Sequence, residues 1–269
     1  MTQHAQYWSV ARQGPAIVAH YSNGAMNYYV DTAVAELAAL VDDWRDTDAH
    51  AVILTGDGTG RFITHFSADQ IRAGVDDQLG AAKIGPIRNH AVNRMLDAIT
   101  RLEVPVIAAL NGDTMGFGYE LALACDLRIG ERGDFRYGLP EARLGVIPGS
   151  GGTQRLVRLV GLDRALDIVM RGRVFTPEDA LHLGLITELH DDALAGALEV
   201  VADIARNPRL AVTSAKRSLH LGADAPLAAA LAIESDASLR TKLGPDIVAR
   251  LDEYLAVAPG ERRNWIEHA

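Results

Sequence analysis

Gly138-Leu-Pro-Glu-Ala-Arg-Leu-Gly-Val-Ile-Pro-Gly-Ser-Gly-Gly-Thr-Gln-Arg-Leu156 is the stretch of this sequence that says most about its fold. It places one carboxylate, Glu141, a few residues before a glycine-rich turn at 149–152. A second glycine-rich turn, Gly116-Phe-Gly-Tyr-Glu120, leads into another glutamate. Two carboxylates delivered to one pocket can divide acid and base work on a single water molecule. The sequence therefore predicts a proton-transfer site built from Glu120 and Glu141.

The segment 111–126 has the pattern of a turn followed by a helix. A strand is expected to end at Leu110, and Gly116 and Phe117 are expected to begin the helix. The first N–H groups of a helix have no intrahelical acceptor and lie at its positive end. They can bind the negative charge that develops on an activated carbonyl. The alternative is that the glycines serve only tight packing.

Short apolar runs alternate with helical periodicity in the first part of the chain. Strands are predicted at 17–20, 51–55, 104–110 and 127–129. Helices are predicted at 31–45, with Asp31 as the N-cap, and at 91–102. This alternation predicts an α/β fold with largely parallel strands. The similar runs 51–56 and 106–112, each a strand that ends in a glycine turn, indicate repeated strand–helix turns.

The pattern becomes mainly helical after about residue 161. Thr176-Pro177-Glu178-Asp179 reads as a helix start, and a last strand is expected at 185–189. Further helices are predicted at 192–206, 210–221, 226–239 and 245–256. Their alanine and leucine faces need covering, so we expect a core at 1–190 and a helical oligomerisation region at 191–269. The alternative is a tail that packs only on its own core.

Composition excludes several classes of function. The 269 residues are 48% hydrophobic and carry a net charge of −9, with no basic run, so nucleic acid is not an expected partner. The single cysteine, Cys125, lies among apolar neighbours and is expected to be a buried packing residue. Neither a signal peptide nor a membrane span is apparent, so a cytoplasmic protein without a membrane partner is expected. The nine histidines show no paired metal-ligand spacing, so no metal is expected.

The chain resembles the crotonase, or enoyl-CoA hydratase/isomerase, superfamily over nearly its whole length. The stretches that carry this resemblance are 52–56, 61–62, 105–112, 116–126 and 138–156. The resemblance implies a crotonase-like spiral of repeated ββα turns with a C-terminal helical oligomerisation region. It also implies a homotrimer or a hexamer made of two trimers. The implied substrate is an acyl-CoA thioester, and no cofactor is expected because coenzyme A is part of that substrate.

The resemblance also implies roles for individual residues. Glu120 matches the glutamate that holds and activates water in family hydratases, and Glu141 matches the one that exchanges the proton at the α-carbon. The backbone N–H groups of Phe66 and Phe117 match the two donors of the oxyanion hole. Retention of both glutamates favours an enoyl-CoA hydratase that converts trans-2-enoyl-CoA into 3-hydroxyacyl-CoA. The alternatives are an enoyl-CoA isomerase, a specialised hydratase of secondary metabolism, or a catalytically silent acyl-CoA-binding protein.

Several residues depart from the family pattern near the implied site. His65 stands in place of a glycine, Ser67 in place of an aspartate, and Phe117 in place of the middle glycine of three. A phenylalanine at 117 would be strained if that position required a positive φ. Bulky Phe66 and Phe117 predict a reshaped acyl pocket.

The substrate-binding residues are expected to be Arg61, Thr64, His65, Ser67, Gly116, Pro140 and Gly149. For Arg61 the choice is between contact with a coenzyme A phosphate and exposure on the surface. For His65 it is between orienting the substrate and a structural hydrogen bond.

Overall fold

The computed structural model describes residues 3–58, 60–82 and 91–268. The strands are β1 Gln3–His4, β2 Trp8–Gln13, β3 Ala16–Tyr21, β4 Ala51–Gly56, β5 Gly60–Arg61, β6 Val106–Leu110, β7 Gly112–Met115, β8 Leu127–Glu131, β9 Tyr137–Gly138, β10 Val174–Phe175 and β11 Glu188–His190. The helices are α1 Asp31–Asp43, α2 Ala68–Ala82, α3 Ala91–Thr100, α4 Phe117–Ala124, α5 Gly152–Val160, α6 Leu162–Met170, α7 Pro177–His182, α8 Ala193–Ala205, α9 Arg209–Gly222, α10 Leu227–Lys242, α11 Asp246–Ala256 and α12 Arg262–His268. The α/β class predicted from the sequence is confirmed.

A seven-stranded sheet in the order β1-β2-β3-β4-β6-β8-β11 forms the centre of the molecule. Its first three strands are antiparallel, and every pairing from β3 onwards is parallel. The two similar runs noted in the sequence, β4 and β6, lie side by side with Val52 opposite Val106. Both strands are buried along their whole length. Burial on both faces explains why each reads as a continuous apolar run.

A second sheet, in the order β10-β9-β7-β5, lies where the long parallel strands end. Each of β4, β6 and β8 is followed by one of its short strands, β5, β7 and β9, and then by a helix. The chain therefore repeats a long strand, a short strand and a helix three times. This is the spiral of ββα turns expected from the resemblance. It brings the residues after β5, β7 and β9 to the same side of the molecule.

The helices start and end close to the predicted positions, with local differences. Thr176 accepts a hydrogen bond from the Asp179 N–H, which confirms the predicted cap of α7. The prediction for α1 was wrong by one residue, because Val30 is the N-cap and makes no side-chain cap bond. Asp31 is instead the first helical residue, where its charge still favours the positive end of the helix.

The C-terminal helices are present as predicted, and α9 packs on the core. The ammonium group of Lys216 on α9 lies 2.7 Å from an Asp126 carboxylate oxygen and also donates to the Val104 carbonyl. The following helices α10 to α12 contain no buried residue. This part of the chain exposes large apolar side chains, among them Leu227, Leu239, Leu243 at the end of α10, Leu255 and Ile266. The oligomerisation role of 191–269 stays a prediction. Within the described residues, no helix combines the length and apolar character needed to span a bilayer.

Candidate active site

Glu120 lies in the first turn of α4 and is only 3% exposed. Its Oε1 atom accepts hydrogen bonds from the Ser150 N–H at 2.7 Å and the Gly152 N–H at 2.8 Å. Gly152 is the first residue of α5, so the carboxylate also lies at the positive end of that helix. Burial raises the pKa of Glu120, while the two backbone bonds and the charge of Arg155 act in the opposite direction. The environment is built to hold a buried carboxylate.

Glu141 lies in a different environment. It begins a short 3₁₀ turn, Glu141–Leu144, directly after Pro140. Among the described residues its enclosed Oε2 atom has no hydrogen-bond partner. Burial raises the pKa of Glu141 to about 7, and the nearby negative charge of Glu120 adds to this effect. A carboxyl group with this pKa can give or take a proton near neutral pH.

Glu141 and the loop 64–67 meet at Gly116, whose carbonyl also accepts the backbone N–H of Glu120 at 2.9 Å. A Cβ atom added at Gly116 would lie 3.3 Å from Glu141 Oε1 and 3.5 Å from His65 Cβ. Gly116 has a φ of 51°, a left-handed conformation that favours glycine, and it is the N-cap of α4. The positive φ therefore falls on Gly116, and Phe117 adopts helical geometry without the strain considered for it.

The loop 62–66 and the start of α4 are in direct backbone contact. The Met115 N–H donates to the Thr64 carbonyl at 3.0 Å. A Cβ atom on Gly118 would lie only 1.9 Å from the Ile63 carbonyl oxygen, so only glycine allows this approach. The segments that carry Phe66 and Phe117 are thus held side by side.

The backbone N–H groups of Phe66 and Phe117 have no acceptor within the described part of the chain. Phe117 is the first residue of α4, where the N–H has no intrahelical partner. The Tyr29 N–H donates to the His65 carbonyl and the Tyr29 carbonyl accepts from the Ser67 N–H. In this parallel pairing the amide of the intervening residue, Phe66, points away from Tyr29. Their shared use as oxyanion donors stays a prediction.

The two phenylalanine rings form an aromatic wall with Tyr29. The ring centres of Phe66 and Phe117 are 5.5 Å apart in an edge-to-face arrangement. Tyr29 packs on Phe117 at 4.6 Å and on Phe66 at 6.0 Å. Tyr29 and Phe117 are buried, whereas Phe66 is partly exposed. Phe66 is therefore the member of the wall that an acyl group can reach.

Three predicted substrate-binding side chains in the loop 64–67 make hydrogen bonds within the fold. The buried Thr64 hydroxyl donates to the Met26 carbonyl at 2.6 Å, and the Ser67 hydroxyl accepts from the Gln70 N–H near the start of α2. His65 Nδ1 lies 2.7 Å from the Phe66 carbonyl, to which it donates, and the His65 ring stacks on Tyr28. The structural alternative for His65 is thereby supported, and the substrate contacts of all three stay predictions.

The remaining predicted binding residues lie on three separate segments of the chain. Arg61 is half-buried in β5, and its Nε atom is enclosed without a partner among the described residues. The Pro140 carbonyl accepts the Arg143 N–H at 2.9 Å and so shapes the turn that carries Glu141. Gly149 is exposed in the turn before α5. The substrate contacts of these three residues stay predictions.

Sequence reasoning missed the residues that hold Glu120. In the turn 149–152 only Gly149 was expected to take part in the site, as a substrate-binding residue, yet the N–H groups of Ser150 and Gly152 are the hydrogen-bond donors to Glu120 Oε1. A glycine turn that leads into a helix is an anion-binding arrangement, and this signal was available in the sequence. Arg155, whose guanidinium group donates to the Ser150 carbonyl, was also missed.

Comparisons with known proteins agree with this geometry. A family model described as enoyl-CoA hydratase/isomerase matches residues 18–248. The short-chain-enoyl-CoA hydratase of Clostridium acetobutylicum is 36% identical over 194 residues, which cover 71% of this chain and 72% of that protein. The 2,3-dehydroadipyl-CoA hydratase of Escherichia coli is 34% identical over 216 residues, or 79% of each chain.

Solved structures show the same fold. An enoyl-CoA hydratase from Geobacillus kaustophilus superimposes with a TM-score of 0.87 at 31% identity, over 95% of this chain and 96% of that one. An enoyl-CoA hydratase from Bacillus anthracis gives a TM-score of 0.84 at 29% identity, over 93% and 96%. The ββα spiral described above is therefore the crotonase fold.

Proposed function

The chain belongs to the enoyl-CoA hydratase/isomerase family, and on that basis we propose that it adds water to a trans-2-enoyl-CoA to give a 3-hydroxyacyl-CoA. The observation that carries this proposal is the pair of unlike carboxyl groups. Glu120 is held at a helix N-terminus by two backbone N–H groups, whereas Glu141 has an enclosed oxygen atom without a partner and a pKa of about 7. Such a pair can supply one base and one acid.

The proposed reaction uses each group once. Glu120, as a carboxylate, accepts a proton from water while the water oxygen bonds to C3 of the substrate. Negative charge then develops on the thioester oxygen, where the N–H groups of Phe66 and Phe117 would each lower the barrier by about 3–4 kcal/mol. Glu141, in its acid form, gives its proton to C2. Return of a proton from Glu120 to Glu141 through solvent completes the cycle.

The relatives support an acyl-CoA substrate, since the two compared above are named for short-chain enoyl-CoA and for 2,3-dehydroadipyl-CoA. The proposed chemistry needs neither a metal nor a redox cofactor, because water, two carboxyl groups and backbone donors suffice. We further propose that the exposed apolar side chains of 227–266 are covered in a homotrimer or a dimer of trimers.

Enoyl-CoA isomerisation is a second candidate function, and the state of Glu141 favours it. A single carboxyl group with a pKa near 7 can move a proton between C2 and C4 without any water molecule. In that reaction Glu120 would contribute only its charge. The two candidates therefore differ in how strongly they depend on Glu120.

The test is an assay of the purified protein with trans-2-enoyl-CoA and 3-enoyl-CoA thioesters of graded chain length, together with an aromatic one. Hydration is followed by loss of the conjugated thioester absorbance, and the products are identified by mass. We expect Glu120→Gln and Glu141→Gln each to lower kcat for hydration by about 10²–10⁴-fold. Glu199→Gln, at an exposed position on α8, is the matched control and should keep wild-type activity.

Isomerisation of 3-enoyl-CoA that survives Glu120→Gln but not Glu141→Gln would select the isomerase instead. Binding of acyl-CoA without turnover of any of these thioesters would point to the silent binding protein.

A further inference from the structure

Arg155 folds back over the N-terminus of its own helix, α5. Its backbone N–H closes the first turn on the Gly151 carbonyl, and its guanidinium Nη1 atom donates to the Ser150 carbonyl at 3.0 Å. A Cβ atom on Gly151 would lie 2.2 Å from Nη1, so the guanidinium group lies directly on the backbone of this turn. Gly151 has a φ of 91°, which also favours glycine here.

The position of this cation is electrostatically unfavourable for the helix alone. A helix N-terminus is the positive end of the helix dipole, where acidic side chains are stabilising and basic ones are not. The mostly buried Arg155 side chain is kept there by a second contact, since Nη2 lies 3.3 Å from Asp97 Oδ1 on α3. A cation at the positive end of a helix needs a stabilising partner besides Asp97.

Glu120 is that partner, although it makes no direct hydrogen bond to Arg155. Ser150 and Gly152 donate their N–H groups to Glu120 Oε1, and Arg155 holds the carbonyl of Ser150 on the same turn. The peptide unit that the guanidinium group holds, between Ser150 and Gly151, therefore lies between the two peptide units whose N–H groups bond to the carboxylate. The charge of Arg155 also opposes the effect of burial on the pKa of Glu120.

We propose that Arg155 is a positioning residue for the reaction, which fixes the turn 150–152 so that two N–H groups stay aimed at Glu120. Arg155 acts through this turn and touches no reacting atom. The proposal rests on the proposed function, because it assumes that an ordered, ionised Glu120 is needed to activate water. The neighbouring charges are Asp97 on α3, Arg101 directly after α3, Glu120 on α4, and Glu141 beyond it.

The test compares Arg155→Met with Arg158→Met. Arg158 lies one turn further along α5, pairs with Asp224 at 2.8 Å, and donates to the Gln154 carbonyl. It therefore controls for removal of a cation from the same helix. We expect Arg155→Met to lower kcat about 10–100-fold with less than a threefold change in KM, whereas Arg158→Met stays near wild type.

The pH dependence of kcat/KM gives a readout that loss of stability alone would not move. Activity needs ionised Glu120 and falls as the pH drops through its pKa. Removal of the Arg155 charge raises that pKa, so the acidic limb should move to higher pH in Arg155→Met. Arg155→Lys keeps the positive charge but cannot contact both the Ser150 carbonyl and Asp97 as the guanidinium group does. It should therefore return the acidic limb of kcat/KM to its wild-type pH and restore only part of kcat.

Hydrogen exchange of the backbone amides at 148–156 needs no turnover and separates this inference from the proposed function. Arg155→Met should accelerate exchange of the Ser150 and Gly152 amides about tenfold or more, and Arg158→Met should leave it unchanged. If exchange is faster in Arg155→Met but the wild-type protein hydrates no enoyl-CoA, then Arg155 does order the turn and the proposed hydratase function is rejected. If the wild-type protein hydrates enoyl-CoA and Arg155→Met has the same amide exchange and kcat as Arg158→Met, the inference is overturned. Faster amide exchange in Arg155→Met with an unchanged kcat overturns it as well.

Should Arg155→Met fail to fold, Asp97→Asn serves in its place. This substitution weakens the contact that holds the guanidinium group while Arg155 keeps its positive charge. We expect amide exchange and kcat to change in the same direction as in Arg155→Met, but by less. No change in either would reject the inference.

Discussion

Gly152 donates its N–H to Glu120 Oε1 at 2.8 Å, and a Cβ atom on Gly152 would lie 2.8 Å from that same oxygen. The close approach of Gly152 to Glu120 therefore orients the glutamate and also leaves no space for a side chain at position 152. The same Cβ would lie 2.7 Å from Pro148 Cβ, so it would clash with the proline as well as with the carboxylate.

The substitution Gly152→Ala should displace Glu120 or break its bond to the turn. We expect kcat to fall at least about 100-fold and the free energy of unfolding to fall by about 1–3 kcal/mol. Steady-state kinetics and urea denaturation measure the two effects. Gly222→Ala is the control, because its nearest neighbour would be an ordinary 3.5 Å contact with Ala230. Equal activity of the two variants would contradict the proposed position of Glu120.

Hydration should lose rate as the pH rises through about 7. Glu141 gives a proton to carbon in the proposed mechanism, so the active form is the acid, and its pKa lies at about 7. The basic limb of kcat/KM should therefore fall near this pH and be absent from the residual activity of Glu141→Gln. A pH profile that stays flat from pH 6 to 9 would count against Glu141 as the proton donor.

The raised pKa of Glu141 also predicts a dependence of stability on pH. The folded-state pKa exceeds the unfolded value, so the folded protein disfavours the ionised form. The contribution of Glu141 to the free energy of unfolding is then fully present below pH ~4.5 and is lost as the pH rises through about 7. Glu141→Gln should be more stable than wild type at pH 8 by about 1–3 kcal/mol and nearly equal to it at pH 4.5. Urea denaturation at the two pH values tests this, with Glu199→Gln showing no such difference.

The aromatic wall predicts which substitution widens the acyl pocket. Phe66 is partly exposed beside the proposed oxyanion donors, whereas Phe117 is buried against Tyr29. Phe66→Ala should shift the preferred substrate towards longer acyl chains, measured as the ratio of kcat/KM values for long and short thioesters. Phe117→Ala should mainly destabilise the protein, by about 3–5 kcal/mol for a large-to-small change in the core. An unchanged ratio in Phe66→Ala would place the acyl chain elsewhere.

The apolar faces of the C-terminal helices predict self-association. Leu243 is 77% exposed after α10, and Leu255 is 61% exposed in α11. Sedimentation velocity should show a trimer or hexamer for wild type and a smaller species for Leu243→Glu. Glu261→Gln, at an exposed position between α11 and α12, should leave the assembly unchanged. A wild-type protein that sediments as a monomer would favour the tail that packs only on its own core.

The long parallel strands could be predicted from the sequence because burial on both faces leaves an unbroken apolar run, as in 51–56 and 106–110. The second sheet could not. Its strands β5 and β9 have two residues each, too few to show any period, and they form only because the long strands deliver them side by side. The last strand was also misplaced: it was expected at 185–189 and is Glu188–His190.

For the candidate site, the two glutamates could be predicted from the sequence, whereas their surroundings could not. Glu120 and Glu141 could be found because each is a carboxylate beside a glycine-rich turn. Their surroundings depend on backbone atoms 30 or more residues away, such as the Ser150 and Gly152 N–H groups at Glu120. Such a contact has no signature in residue type, since any amino acid except proline can supply an N–H group. Burial raises the pKa of both glutamates, and at Glu120 the backbone bonds from Gly152 and Ser150 oppose that rise; only the fold defines either effect.

The backbone contact between Gly118 and Ile63 has a consequence for remodelling this protein in the laboratory. Positions 65, 66, 67 and 117 lie on the two segments that this contact joins, and at 65, 67 and 117 the residues depart from the pattern that the resemblance implies, so a library can randomise these four positions. Position 118 has no such freedom, because even a methyl group would meet the Ile63 carbonyl at 1.9 Å. New substrate ranges should therefore be sought by varying what surrounds this junction while leaving the junction itself intact.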